Sequence, residues 1–309
     1  MLSNLISKLQ DQVTENAFTY SIVIIDNDAR QTARDIVKNW QIKSMIPIDY
    51  NCVDEQNISL ARNKAVENAK SNLIAFIDDD EFPVNVWLLN LYKTLLAYHA
   101  DGTLGPVRPH YSDHTPTWLI KSKLCERRDV KTGTILHWDQ TRTGNTLLRK
   151  TLFDNKNYWF DTAYGRTGGE DTMFFKRHHE NGKVFIWCNE APVYETVPPE
   201  RCTKLFHIRK SLRIGCGVGE NLRKYKAEFE HIGKQTNRCN SGCFCKRKAL
   251  PLQSYLLSKS AFWIISMTFL LPFSVLTGQH LYMRCITKLS YNFGVISGFL
   301  GHVIIRYRN

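Results

Sequence analysis

The sequence is poor in the residues that mark non-globular chains. Its 309 residues include only 17 glycines and 10 prolines, which excludes a collagen-like or low-complexity composition. The nine cysteines are few, odd in number and irregularly spaced, so we expect reduced thiols in a cytoplasmic compartment. No basic segment followed by an apolar segment opens the chain, and we therefore expect no secretory signal. With 43% apolar and 12% aromatic residues, the composition is that of a globular protein.

Acidic residues are absent from the last part of the chain, and the net charge of +12 is concentrated there. Residues 1–200 carry 23 basic and 26 acidic side chains, residues 201–259 carry 14 and 3, and residues 260–309 carry 4 and 0. This basic block leads into two uncharged apolar stretches, at residues 260–283 and 289–305. Each basic group near an anionic membrane contributes about 1 kcal/mol. We therefore expect an anionic membrane surface, and no nucleic acid, as the partner.

Short apolar runs alternate with helix-length segments in the first hundred residues. The predicted strands are residues 20–25, 46–51 and 73–77, and the predicted helices are residues 31–40, 58–69 and 84–98. This alternation indicates βαβ units, an α/β fold and a parallel sheet with helices on both faces. Polar residues at strand ends then lie at the carboxyl edge of the sheet, where open α/β folds bind ligands.

The pattern changes after residue 102. Shorter β-prone pieces lie at residues 104–108 and 143–148, so we expect a mixed rather than a purely parallel sheet. The segments that follow are a predicted helix at residues 171–180, closing strands at 184–188 and 193–194, and a basic helix at 205–225. Glycines at 215, 217 and 219 are expected to weaken that last helix.

Three successive carboxylates, Asp78, Asp79 and Asp80, follow the apolar run LIAFI. Like charges this close repel and raise one another's pKa unless a cation neutralises them. Oxygen ligands at positions i and i+2 suit Mg²⁺ or Mn²⁺, which combine a few carboxylates with waters and substrate phosphates. The pattern favours a metal–diphosphate site, and a solvated acidic turn is the alternative.

A second acidic pair, Glu170 and Asp171, stands at the start of a predicted helix. Acids in a first turn also complement the helix dipole without any chemistry, and that reading stays open. Gly168 and Gly169 precede the pair and permit close approach of a ligand. A metal-assisted transfer with a separate general base requires a second acidic site of this kind.

Together these segments resemble a family 2 glycosyltransferase of GT-A fold over about residues 5–230. NISLARNKAVENAKSNLIAFIDDDEFP, residues 57–83, is similar to the family's Ala-Arg-Asn helix and the strand that carries its Asp-x-Asp motif. YSIVIIDNDA, residues 20–29, resembles its second strand, and GRTGGEDTMFF, residues 165–175, resembles its Glu-Asp motif. Within the family, DNDA, NISLARN, GPVRP and GRTGGED are most similar to succinoglycan-biosynthesis glucosyltransferases, which act on polyprenyl-diphosphate-linked oligosaccharides.

The resemblance implies a role for each motif. The implied residues of the nucleotide-sugar site are Asp26, Asp28, Arg62, Asp78, Asp79, Arg209 and Arg213. Asp78 and Asp80 are implied as ligands of Mg²⁺ or Mn²⁺. Asp171 is implied as the catalytic base, with Glu170 in support. The implied reaction is the inverting transfer of a hexose, glucose first among the candidates, from a UDP-sugar to a polyprenyl-diphosphate-linked oligosaccharide or a growing polysaccharide.

One element of the family has no counterpart in this sequence. The family begins with a central strand, whereas this chain begins within what corresponds to the following helix. We therefore expect the 309-residue form to transfer sugar weakly or not at all, and an N-terminally extended form to transfer it well. Two alternatives stay open: a catalytically impaired homologue that acts as a membrane-bound partner, and a nucleotidyltransferase, which also uses paired acids on a metal–diphosphate.

Three regions are predicted along the chain. They are a GT-A-like domain at residues 1–230, a basic cysteine-containing linker at 231–259 and an apolar helical membrane-associated region at 260–309. Pro272 and Gly278 interrupt the first apolar stretch, and Arg284 and Lys288 lie between the two stretches, against the positive-inside bias of a hairpin. We expect a re-entrant or interfacial helix pair at the cytoplasmic face of the inner membrane. A two-span hairpin and a buried helical subdomain are the alternatives.

Overall fold

The computed structural model describes residues 1–127, 129–166, 168–236 and 246–302, with side chains outside residues 224–253. The chain divides into two compact units. Unit 1 comprises Met1–His110 and Glu126–Thr196, and unit 2 comprises Tyr111–Cys125 and the chain from Val197 onward. The motifs that the sequence predicted around the acidic turns therefore all belong to unit 1.

The strands carry the apolar runs that the sequence indicated, with ends shifted by one to three residues. They are β1 (Ile22–Asp26), β2 (Ile48–Cys52), β3 (Leu73–Phe76), β4 (Glu81–Pro83), β5 (Gly102–Leu104), β6 (Val107–His110), β7 (Thr146–Arg149), β8 (Phe185–Trp187) and β9 (Val193–Thr196). The single strand predicted at residues 104–108 is wrong. Gly105 and Pro106 separate β5 from β6, and these two strands lie in different sheets.

The helices largely follow the predicted segments. They are α1 (Leu2–Gln10), α2 (Arg34–Lys43), α3 (Ile58–Asn68), α4 (Trp87–Ala97), α5 (Thr117–Ser122), α6 (Glu170–Glu180), α7 (Lys204–Thr236), α8 (Lys246–Thr277) and α9 (Gln279–Phe299). α3 begins at Ile58, the residue predicted from the sequence. The Asn57 side chain accepts hydrogen bonds from the backbone N–H groups of Ser59 and Leu60, which caps the helix.

The sheets of unit 1 are mixed, as expected. β1 pairs in parallel with β2. The order β3-β7-β5-β8 forms a second sheet and β4-β9-β6 a third, each with antiparallel and parallel pairs. Among the described residues, β1 pairs with β2 alone and β3 with β7 alone. The activity expected of an N-terminally extended form stays a prediction.

An aromatic core fixes the position of α6. Phe174 is fully buried, and its ring stacks on those of Phe160 and Phe153 with centroids 4.6 and 5.2 Å apart. Phe175 packs edge-on against Phe185 of β8 at 4.9 Å. Pairs of this kind add about 0.5–1.5 kcal/mol each beyond the area they bury. The first turn of α6, which carries the Glu-Asp motif, is therefore held rigidly against the sheet.

Unit 2 is built around close packing of α7 on α9. The predicted weakening of the helix at Gly215 and Gly219 is wrong, since α7 runs through both without a break. A Cβ atom at Gly215 would lie 2.0 Å from the carbonyl oxygen of Tyr291, and one at Gly219 would lie 2.0 Å from that of Val295. Glycine costs helix propensity but allows the two backbones to touch, and here the packing prevails.

The division into units differs from the predicted regions. Residues 197–230 of the chain, assigned from sequence to the GT-A-like domain, lie in unit 2 because α7 packs along α9. The predicted linker at 231–259 is helical at its described ends, in α7 and α8. Residues 237–245 of that linker, with all three of its cysteines, lie outside the described residues.

α8 contains a segment that is long and apolar enough to cross a membrane. This segment, Ser254–Thr277, has 24 residues and a mean hydropathy of 1.7. Pro272 does not interrupt it, contrary to the sequence-based expectation, and the break falls at Gly278, whose φ of +117° suits glycine. Large apolar side chains of this segment are exposed, among them Phe262, Phe269 and Phe273. α8 therefore leaves an apolar surface uncovered by unit 2.

Candidate active site

The N-terminus of α3 joins the Ala-Arg-Asn segment to the chain that precedes α6. The amide nitrogen of Asn57 donates to the carbonyl of Thr162 at 3.0 Å, and the Ser59 hydroxyl donates to that of Asp161 at 2.8 Å. A Cβ atom at Gly165 would lie 1.7 Å from Oδ1 of Asn57, so this contact requires a glycine. Gly165, the first glycine of GRTGGED, thus allows the N-terminus of α3 to pack closely against this segment.

The end of β1 is organised by Asp26. Its buried carboxylate accepts hydrogen bonds from the backbone N–H groups of Asp28 and Ala33, at 3.1 and 3.0 Å, and from the Tyr50 hydroxyl at 2.9 Å. Burial, together with this carboxylate, raises the pKa of Tyr50 to about 12. Asp28 accepts hydrogen bonds from Arg30. Asp26 thus shapes the turn, and contact of Asp26 and Asp28 with the donor stays a prediction.

Arg62 of α3 connects the two acidic motifs. Its Nη1 lies 2.5 Å from Oε1 of Glu170, and its Nη2 lies 3.9 Å from Oδ1 of Asp78. The Arg62 and Glu170 side chains are 12% and 7% exposed, whereas that of Asp78 is 50% exposed. The turn after β3 and the first turn of α6 are therefore brought to a single guanidinium, which the sequence resemblance assigned to the nucleotide.

Glu81 is a member of this site that the sequence interpretation missed. It is 3% exposed, and its Oε2 accepts a hydrogen bond from the backbone N–H of Asp78 at 3.2 Å. Burial, reinforced by the charge of Asp78, raises the pKa of Glu81 to about 8. Burial also raises the pKa of Asp78, and the charge of Arg62 opposes this shift. Half of the Asp78 side chain is nevertheless exposed. The run of four acids in the sequence was the available signal.

Two arginines near these acids were also missed. Arg127 pairs with Glu195 at 3.0 Å, and Glu195 lies directly opposite Glu81 in the β4–β9 pair. Like charges facing each other across strands are destabilising, and Arg127 offsets that cost. Burial lowers the pKa of Arg142 to about 10, against the opposing effect of Glu81, Asp171 and Glu195. Neither arginine belongs to a sequence motif, so only the fold identifies them.

Asp171, the implied base, is partly exposed on the first turn of α6. Its Oδ1 accepts a hydrogen bond from the backbone N–H of Thr172 at 2.7 Å, and no ion pair engages it among the described residues. Gly169 precedes the helix with a φ of +103°, a conformation that favours glycine. The arrangement leaves a carboxylate oxygen available to a substrate hydroxyl, as a general base requires.

The donor set after β3 suits a hard divalent cation. A Cβ atom at Gly144 would lie 3.1 Å from Oε1 of Glu81 and 3.4 Å from Oδ2 of Asp78, so these carboxylates converge on one point. Asp79 is exposed and Asp80 partly buried on the same turn. In the described ranges no three His, Cys, Asp or Glu side chains form a complete metal site. Mg²⁺ and Mn²⁺ fit such a site, because they take one or two carboxylates and complete their shell with waters and phosphates.

Arg209 and Arg213 belong to a different unit from Arg62, Asp78 and Glu170. Both are on α7 of unit 2, where Arg209 is exposed and Arg213 is partly buried. The structure thus brings Arg62, Asp78 and Glu170 together in unit 1, with Glu81 beside them. Contact between the two α7 arginines and a diphosphate stays a prediction.

The family of this chain follows from comparison with known sequences. The model for glycosyl transferase family 2 matches residues 1–168, more than half of the chain. Succinoglycan biosynthesis protein ExoM of Rhizobium meliloti (strain 1021) is 33% identical over 207 residues, which covers 65% of this chain and 64% of that protein. Chondroitin synthase of Escherichia coli is 25% identical over 217 residues, with 59% of this chain and 31% of that protein covered. The chain belongs to glycosyl transferase family 2, as the sequence motifs predicted.

Solved structures agree on the fold. S. aureus TarS 1-349 superposes with a TM-score of 0.51 at 13% identity over 97% of this chain and 88% of that one. TarS 1-349 in complex with UDP-GlcNAc gives the same TM-score, over 96% of this chain and 87% of that one. The predicted GT-A-type α/β fold is therefore confirmed. This chain spans 64% of the length of ExoM and about a third of that of the chondroitin synthase.

Proposed function

We propose that this chain is an inverting, metal-dependent hexosyltransferase. It transfers a hexose, with glucose as the first candidate, from a UDP-sugar to a polyprenyl-diphosphate-linked oligosaccharide or a growing polysaccharide. The observation that carries the proposal is the joint contact of Arg62 with Asp78 and Glu170, by which residues of two acidic motifs approach one guanidinium. The polysaccharide-related names of ExoM and chondroitin synthase support the acceptor class, and the UDP-GlcNAc complex of TarS supports the donor class.

Asp171 is the proposed general base. Its carboxylate takes the proton of the acceptor hydroxyl as that oxygen bonds to the anomeric carbon, while the bond from this carbon to the diphosphate oxygen breaks and UDP leaves. A single displacement of this kind inverts the configuration. Glu170 acts through Arg62, because their buried ion pair fixes the guanidinium beside Asp78. Asp171 is therefore the residue that touches substrate, and Glu170 is a positioning residue.

The acidic turn after β3 is the proposed donor site. Asp78 and Asp80 would hold Mg²⁺ or Mn²⁺, which supplies positive charge for the departing diphosphate. The nucleotide would contact Asp26 and Asp28 at the end of β1, together with Arg62, Asp79 and the α7 residues Arg209 and Arg213. Burial, with the repulsion between neighbouring carboxylates as a smaller cause, raises the pKa of Asp78 and of Glu81, and this supports the assignment because a bound cation would stabilise their charged forms.

The exposed apolar surface of α8 supports a membrane location, proposed as the cytoplasmic face of the inner membrane. Segment Ser254–Thr277 meets the length that a span needs, and the basic block of residues 201–259 adds attraction to anionic lipid. An acceptor on a polyprenyl carrier is then presented at the same surface. Phe262 and Phe269 would contact lipid both in an interfacial helix and in a membrane span.

A UDP-release assay on membranes that contain the full chain tests the proposal, with a panel of UDP-sugars and Mn²⁺. Asp80→Ala and Asp171→Asn should each lower the rate by at least about 100-fold, the contribution expected of a general base or a charge-stabilising group. Asp154→Asn, an exposed acid outside the site, should leave the rate unchanged. Release of pyrophosphate instead of UDP would favour the nucleotidyltransferase. Absence of turnover and of UDP-sugar binding would favour the non-catalytic partner.

A further inference from the structure

Arg142 is a partly exposed cation of unit 1. It precedes β7, and burial lowers the pKa of its guanidinium only to about 10, so it is a cation at neutral pH. No hydrogen bond or ion pair engages this guanidinium in the described part of the chain. The Arg142 side chain is only partly exposed, and a cation withdrawn from water without a partner costs free energy unless a ligand supplies the opposite charge.

The acids around Arg142 do not provide that charge. Glu81 accepts a hydrogen bond from the backbone N–H of Asp78 and makes no ion pair with Arg142. Glu195 is already paired with Arg127 at 3.0 Å, and Arg127 itself repels Arg142. Asp171 is near enough to influence Arg142 but makes no ion pair with it. The charges of Glu81 and Asp171 thus act on the guanidinium, whose hydrogen-bonding capacity is unused by the described residues.

A cavity opens beside this guanidinium. Its volume is about 290 Å³, and its lining includes Leu136, Asp139, Gln140, Thr141, Arg142 and Trp187. Small-molecule sites usually measure about 300–1,000 Å³, so this one holds part of a ligand, such as a single hexose ring or a diphosphate. The short helix Trp138–Gln140, which contributes to the wall, packs against α6. The cavity is thus next to the helix that carries Asp171.

The walls of the cavity combine an apolar face with hydrogen-bonding groups. Trp187 is 3% exposed, and its indole N–H lacks a hydrogen-bond partner among the described residues. A buried tryptophan N–H normally has a partner, and this one is an exception. Asp139 and Gln140 add exposed polar groups at the rim. A flat ring surface beside polar groups matches the two faces of a sugar ring.

We propose that Arg142 and the adjoining cavity form a subsite for a substrate group that bears an anionic oxygen, a phosphate or a carboxylate. A planar guanidinium binds two such oxygens at once, and it supplies the partner that the protein itself lacks. The phosphate would belong to the donor and the carboxylate to an acidic sugar of the acceptor. The subsite rests on the proposed function for its place in catalysis, but its charge preference does not require turnover.

Two pairs of probes, each matched except for charge, test the subsite in direct binding measurements on the full chain without added metal. UDP is compared with uridine, and methyl glucuronide with methyl glucoside. At least one charged probe should bind about tenfold more tightly than its neutral counterpart, the effect of one charge-assisted hydrogen-bonded contact. Preference in the UDP pair identifies the donor phosphate, and preference in the glucuronide pair identifies an acidic acceptor.

Arg142→Gln should reduce that preference to less than about twofold, and Arg142→Lys, which keeps the charge without the planar fork, should retain part of it. Lys131→Gln removes an equal charge from an exposed position nearby and should retain the full preference. The proposal is overturned if the native chain shows no preference in either pair, or if Arg142→Lys and Arg142→Gln both keep it intact. A chain that prefers the charged probe but releases no UDP would refute the transferase and leave the subsite standing. A chain that releases UDP but shows no preference for a charged probe would refute the subsite alone.

Discussion

Nη1 of Arg62 lies 2.5 Å from Oε1 of Glu170, and both side chains are almost fully buried. The pair spans a large separation in the chain and joins the helix after β2 to the first turn of α6. Its second contact, with Asp78, extends the link to the acidic turn. Geometry at the proposed reaction centre therefore depends on one guanidinium.

Loss of that guanidinium should be costly. Arg62→Met leaves the Glu170 carboxylate buried without its partner, and we expect the free energy of unfolding to fall by about 3–5 kcal/mol. Urea denaturation measures this. Lys64→Met on the same helix is the control, because Lys64 pairs with Glu67 at an exposed position and should cost less than about 1 kcal/mol. Equal costs for the two variants would show that the buried pair has no special weight.

The pH dependence of stability should reveal Glu81. Its pKa is about 8 in the folded chain and near 4.5 when unfolded, so between these values the folded state holds a proton that the unfolded state has lost. The free energy of unfolding therefore falls as pH rises from about 4.5 to 8. Glu81→Gln cannot titrate, and relative to the native chain it should gain stability across that window. Denaturation at a series of pH values would contradict the assignment if the difference stayed constant.

His178 should show the opposite slope. It is 4% exposed, its ring packs edge-on against Phe174 with centroids 4.5 Å apart, and burial lowers its pKa to about 4 from an ordinary 6.5. Between these values the unfolded state binds a proton that the folded state does not, so stability is lost as pH falls from 6.5 toward 4. His178→Asn should remove this dependence in the same denaturation series. If the variant lost as much stability as the native chain between pH 6.5 and 4, His178 would not be the source of that loss.

The α7–α9 contact predicts unequal effects of two Gly→Ala changes. A Cβ atom at Gly298 would lie 2.0 Å from the carbonyl oxygen of Cys216, and Gly298→Ala should destabilise unit 2 by about 1–3 kcal/mol or more. Gly217 meets no atom within 4 Å, and Gly217→Ala in the middle of a helix should stabilise by about 0.5–1 kcal/mol. Thermal unfolding in detergent compares them. Similar melting shifts for both would argue against backbone contact.

Membrane attachment should depend on the uncovered face of α8. Phe262, Phe269 and Phe273 are 62%, 71% and 57% exposed, and replacing all three by Asp removes apolar contact and adds charge. We expect the triple variant to shift from the pelleted membrane fraction to the supernatant. Met45→Asp, at an apolar position of unit 1 that is 95% exposed, should remain in the pellet. Retention of the triple variant would assign attachment to another surface.

Much of unit 1 was predictable because its signals are local. The Asn57 cap and the Ala-Arg-Asn run defined α3, and apolar runs ending in acids defined β1 and β3. Gly169, before the Glu-Asp pair, has a positive φ, a backbone conformation that glycine adopts readily. These features follow from backbone sterics, capping and burial within a few residues, which a sequence displays directly.

The sequence alone determined the family, the mixed α/β class and the acidic motifs, since each depends on short-range pattern. Only the tertiary structure decided that Arg62 joins Asp78 to Glu170, that Glu81 is buried beside them, and that α7 continues through its glycines into a contact with α9. The same holds for Arg142 beside its cavity. Burial and charge pairing arise between segments far apart in the chain, and their energies depend on distances that no local pattern records.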